Sequence, residues 1–222
     1  MTWFADEILL PATAQALARV ADDPLLAPFA YWVRDLDDHV WYLDTQRHDL
    51  PEGGLLAIRP VRDTSNADED DSWYGMPSLD WSRLQPQDDH GPEPDRIGRR
   101  LAAYLHECTN GEPPAPGASL DDVDSLPPPS LRRYLSELSA QTNGPVLYHS
   151  ACFWGGAVEY EYSLCYRPIE ALFLTKPAEP GDEVVSHALI DGLNGIGVHL
   201  SGRYFAPHTR EFPWARYRLK SG

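Results

Sequence analysis

Three cysteines in 222 residues give no CxxC pair and no Cys/His pair at zinc-ligand spacing, so neither a disulfide framework nor a zinc module is expected. Cys152 and Cys165 lie in apolar, strand-like segments and read as buried reduced thiols, in keeping with a cytoplasmic protein. No stretch approaches the roughly 20 uninterrupted apolar residues of a membrane span. Asp6 and Glu7 precede the first basic residue, the wrong sign for a secretory leader. The sequence contains no GxGxxG, phosphate loop, GxSxG or HExxH, which removes the signatures of dinucleotide binding, P-loop nucleotide binding, α/β-hydrolases and zincin peptidases. No internal repeat is present. Lysine is scarce: 16 of the 18 basic residues are Arg, and only Lys176 and Lys220 are Lys.

What the chain has in excess is negative charge, and only in one part. Residues 1–125 hold 25 Asp and Glu against 9 Lys and Arg, which accounts for the whole net charge of −16. Residues 126–222 hold 9 against 9. Charge confined in this way can form a surface of one sign, which bears on partners and association rates. It also disfavours direct nucleic-acid binding, because phosphates would be repelled. The 42% hydrophobic content and seven tryptophans argue for a packed core. One α+β domain spanning 1–222 is expected, with an acidic, loop-rich part over 1–125 and a neutral, sheet-forming part over 126–222.

Apolar spacing predicts a helix within residues 5–21, its regular part starting near Pro11. Residues 29–43 fit one helical face or a hairpin around the acidic turn Asp35-Leu36-Asp37-Asp38, and their aromatic and β-branched content favours strands. Residues 55–61 read as a strand. Residues 63–95 have little periodicity, while 95–108 read as a helix and 112–129 as a Pro-rich linker. A helix over 130–141 ends at Asn143-Gly144. Residues 146–154 and 157–166 form the clearest pattern, two strands joined at Gly155-Gly156. Further strands are expected over 171–175 and within 204–219, and a helix over 182–193. The sheet is thus expected to be largely antiparallel and C-terminal, with helices packed on it and long acidic loops in the N-terminal part.

Several groups of residue types invite chemistry. Glu159 and Glu161 share a strand face about 7 Å apart, and with His149 or His208 they suit acid–base work. The favoured reading is a solvated sheet face, with the carboxylates paired to arginines such as Arg167, Arg203 or Arg210. His149-Ser150-x-Cys152 contains nucleophile types, but alternation puts His149 and Ser150 on opposite faces. Asp35-x-Asp37-Asp38 and Asp68-Glu69-Asp70-Asp71 offer hard oxygen ligands, without the Gly and Glu positions of a calcium loop; solvated loops are the expected outcome, with no metal site. His208 and Arg210 belong to a Pro-rich segment that reads as a recognition loop or as a rigid turn with Trp214 as core anchor, the latter favoured.

The acidic runs Asp35-Leu36-Asp37-Asp38, Asp68-Glu69-Asp70-Asp71 and Asp88-Asp89, interleaved with Trp73, Tyr74 and Trp81, give the first 125 residues a distinct character. In general character this part resembles the cytoplasmic immunity proteins of bacterial polymorphic-toxin systems. The resemblance implies a binding protein that occludes the active site of a cognate toxin, a nuclease or another basic protein. Asp35, Asp37, Asp38, Asp68, Glu69, Asp70, Asp71, Trp73, Tyr74, Trp81, Asp88 and Asp89 are the candidate partner-binding residues, with acids steering and aromatics anchoring. It implies no catalytic residue and no cofactor. The alternatives are an enzyme using Glu159 and Glu161, or a scaffold that binds no toxin.

Overall fold

The computed structural model describes residues 3–36, 48–59, 129–154, 157–168, 170–174, 187–201, 205–208 and 212–220. The expectations for Val40, residues 63–95, the 95–108 helix and the 112–129 linker fall outside these residues.

The chain is α+β. Six strands form one antiparallel sheet, in the order β2-β4-β1-β5-β6-β7. They are β1 (Trp3–Pro11), β2 (Ala30–Val33), β4 (Leu55–Ile58), β5 (Val146–Trp154), β6 (Ala157–Arg167) and β7 (Glu170–Leu174). A separate pair joins β3 (His48–Asp49) to β8 (His199–Leu200). Among the described residues the α-helices are α1 (Ala14–Ala21), α2 (Pro129–Thr142) and α3 (His187–Gly195).

The sheet is not confined to the C-terminal part. The N-terminal strand β1 is central, pairing with β4 on one side and β5 on the other. Residues 5–10, expected at the start of a helix, are strand. In a strand whose two faces are both covered, apolar residues run on without alternation, and Ile8, Leu9 and Leu10 are all buried. Helix α1 follows Pro11, with the Thr13 side chain accepting from the Ala16 N–H at 3.1 Å as its N-cap. At the other end of α2, Asn143 turns the chain at φ 49°, as the Asn-Gly stop predicts.

Both faces carry a core. One packs Ile8, Leu10, Ile58, Tyr148, Tyr162 and Leu164 beneath α1 and α2. The other packs Leu9, Tyr31, Leu55, Leu147 and Cys165 beneath α3 and the C-terminal turns. The latter are short 3₁₀ segments, Ala206–His208 and Trp214–Tyr217, where strands were expected. Pro207 and Pro213, which have no backbone N–H to give a strand ladder, favour such turns, and among the described residues a single isolated bridge, Tyr31 to Arg218, reaches the sheet. Among the described residues no helix is long and apolar enough to cross a membrane.

Candidate functional site: a buried polar row and a basic groove

Strand register sets polar residues side by side on the face covered by α3. Glu7 of β1 is directly opposite His149 of β5, and His149 is directly opposite Ser163 of β6. Ile8 pairs with Ile58, so Arg59, one residue past β4, comes beside Glu7. The result is a row Arg59–Glu7–His149–Ser163 across four strands. Glu161, two residues before Ser163 and on the same face, closes on it.

Beyond Arg59, whose side chain is 29% exposed, little of this row reaches solvent: Glu7 is 2% exposed, His149 and Ser163 0%, and Glu161 4%. His208 descends from the Ala206–His208 turn, and its Nε2–H donates to Glu7 Oε1. Arg59 Nε stands 3.7 Å from Glu7 Oε2, with its guanidinium stacked 4.2 Å over the Trp214 ring. His149 Nδ1 lies 3.1 Å from Ser163 Oγ, and the His149 and His208 rings stack at 5.7 Å. His149 Nε2 makes no hydrogen bond; Glu161 Oε1, 3.8 Å away, is past hydrogen-bond reach.

Burial by itself would raise the Glu7 carboxyl, but the His208 ring, its hydrogen bond and the Arg59 charge outweigh it and hold the pKa at about 2. Burial drives the His149 ring the other way, down to about 3, helped by the His208 ring and opposed by Glu7. His149 is therefore neutral at physiological pH, and Glu7 is ionised. Both shifts have the same sign of linkage. Each group binds its proton more readily in the unfolded chain, so stability falls as pH falls. The His149 contribution is complete above pH 6.5 and is lost toward pH 3; the Glu7 contribution is complete above 4.5 and is lost toward 2. A urea-unfolding series should show stability dropping by up to about 1.4 kcal/mol per pH unit between pH 6 and 5. His149→Asn should flatten that interval. An unchanged slope in the variant would remove His149 as its source.

Hydroxyl, imidazole and carboxylate thus follow one another at Ser163, His149 and Glu161, residue types that serve nucleophilic catalysis where a substrate can reach them. Here they lie beneath His208 and Phe205, whose rings meet edge to face at 4.9 Å. The expectation that Glu161 sits on a solvated face is incorrect: it is buried, on the face beneath α3 and the C-terminal turns. The β5–β6 register shifts between Cys152 and Phe153, so that Cys152 pairs with Tyr160 and Phe153 with Val158. Glu159 is the extra residue of that bulge. His149 and Ser150 do lie on opposite faces, as alternation predicts, and Cys165 is a buried free thiol whose pKa burial raises to about 11.

No family model, curated protein or solved structure matches this chain.

Sequence reasoning missed Glu7, Arg59 and Ser163. The signal for Glu7 was present in the run Ile8-Leu9-Leu10 ended by Pro11, which suits a doubly covered strand as well as a helix. Of the candidate partner-binding residues, only Asp35 lies among the described ones. It is exposed and lines a groove of about 430 Å³ together with Trp32, Arg34, Arg216, Arg218 and Lys220, so the charged described residues beside it are basic. Among the described residues, no group of three His, Cys, Asp or Glu side chains is placed to hold a metal ion.

Proposed function

We propose that this chain is a binding protein whose acidic residues capture a basic partner, in the manner of an immunity protein that neutralises a cognate bacterial toxin. The observation that carries the reading is the partition of charge. The described residues, which include the whole six-stranded sheet, hold 12 Asp and Glu against 9 Lys and Arg, a balance of −3. The remaining residues hold 22 against 9. A nearly neutral scaffold that bears its charge elsewhere suits recognition by electrostatic steering, since the charge costs the sheet little repulsion. A nuclease is the toxin class that fits best, because a cleft built to hold phosphates is basic. The enzyme alternative gains neighbours for Glu161 in His149 and Ser163, but all three of these side chains are buried.

Tagged protein recovered from its native cell should bring down a basic toxin, identifiable by mass spectrometry. Reversing Asp68, Asp70 and Asp71 to Lys should then slow association with that toxin by about tenfold or more at low salt and flatten its salt dependence. Association kinetics equal to those of the wild type at every salt concentration would count against the acidic run as a recognition element.

A further inference from the structure

The basic groove has a sign opposite to that of the chain as a whole. Two segments build it. Trp32, Arg34 and Asp35 come from β2, an edge strand of the sheet, and its exit. Arg216, Arg218 and Lys220 come from the last 3₁₀ segment and the residues after it. These segments are fastened together: Leu219 N–H donates to Ala30 O at 2.8 Å, Arg218 bridges Tyr31, and the Tyr217 hydroxyl donates to Asp35 O at 3.2 Å. The Trp32 indole N–H donates to Gly53 O at 2.8 Å, which holds the ring in place, and the Arg34 guanidinium lies 4.1 Å over that ring.

Like charges gathered at a groove repel one another and are normally relieved by carboxylates. In a chain with 34 Asp and Glu such relief is easily supplied. Yet among the described residues none of Arg34, Arg216, Arg218 and Lys220 makes an ion pair, although ion pairs do form at Arg19 and Arg59. Among the described residues lining the groove, Asp35 is the only carboxylate. Four cations left unpaired around a pre-formed concavity are the arrangement that an anionic ligand completes.

We propose that this groove is a binding site for a small phosphate-bearing molecule. Its volume falls in the range of small-molecule sites. Three of its four cations are arginines, whose planar forks engage phosphate oxygens two at a time. A long polyanion would extend past the four cations into the field of a chain with net charge −16, whereas a compact one stays within the screening length of about 8 Å. The site goes beyond the capture of a basic partner and does not depend on it.

Inorganic pyrophosphate, titrated calorimetrically into the full chain at low salt, is the test. Saturable 1:1 binding is expected, weakened about tenfold or more by Arg216→Ala combined with Arg218→Ala. Arg167→Ala, an exposed arginine at the far side of the sheet, should bind as the wild type does. The absence of saturable binding to the wild type, or equal affinity in the double variant, overturns the proposal. Citrate binding as tightly as pyrophosphate would overturn the assignment to phosphate, and a hexaglutamate peptide binding more tightly than either would reassign the groove to acidic peptides.

Discussion

Replacing Glu7 by alanine is expected to destabilise the fold by about 3–5 kcal/mol at pH 7, the usual cost of removing one partner from a buried ion pair. Glu7 is 2% exposed on the central strand, and it accepts from His208 while facing Arg59. Without it, His208 loses its carboxylate acceptor and Arg59 its opposite charge, while Arg59 keeps its contact with the Trp214 ring. The loss therefore extends to the C-terminal turns, to which His208 and Trp214 belong. Glu7→Gln, which retains the volume and an oxygen acceptor for the His208 N–H, should cost less than Glu7→Ala. Urea denaturation at pH 7 measures both. A loss under about 1 kcal/mol for the alanine variant would mean that Glu7 is not the anchor described here. At a pH near 2 the penalty of the alanine variant should shrink, since the wild-type carboxylate is itself being protonated there.

Gly54→Ala should be of similar severity, about 2–5 kcal/mol, for a steric reason. Gly54 adopts φ 95° at the entry to β4, a conformation costing about 1–3 kcal/mol for a residue with a side chain. A Cβ there would lie 2.4 Å from Val33 O and 2.9 Å from Arg34 Cα. Both obstacles are backbone, so they yield only if β2 separates from β4, adding roughly another 1–3 kcal/mol of overpacking strain. The same displacement would move Arg34 and widen the basic groove, so pyrophosphate affinity should fall together with the unfolding midpoint. An alanine variant as stable as the wild type would show that β2 can shift without loss.

Helix α2, the β5–β6 hairpin and β7 were legible because each lies in a segment whose pattern has one reading. An apolar face at helical spacing ends at Asn143-Gly144, and Gly155-Gly156 separate two alternating strands. Strand β1 was not legible. Its apolar residues occupy both faces, and a run such as Ile8-Leu9-Leu10 carries no period that separates helix from strand. The C-terminal turns were misread for a related reason: Phe205, Phe212 and Trp214 are core residues supplied by a segment without regular structure. The reading of Trp214 as a core anchor agrees with its 5% exposure. The reading of His208 as part of a rigid turn agrees with its bond to Glu7, a residue 201 positions away.

By itself, the sequence determined the α+β class, the hairpin, the α2 stop and the confinement of net charge to residues 1–125. All of these follow from local pattern or from counting. The tertiary structure alone decided that β1 is central, that Glu7, His149 and Ser163 form one row, and that Arg34, Arg216, Arg218 and Lys220 meet at one groove. Each of these depends on strand register or on segments far apart in the chain. Glu7 and His149 are 142 residues apart but face each other across adjacent strands. Periodicity assigns a side chain to a face of its own strand; which strand lies beside it depends on how the whole sheet buries its two faces.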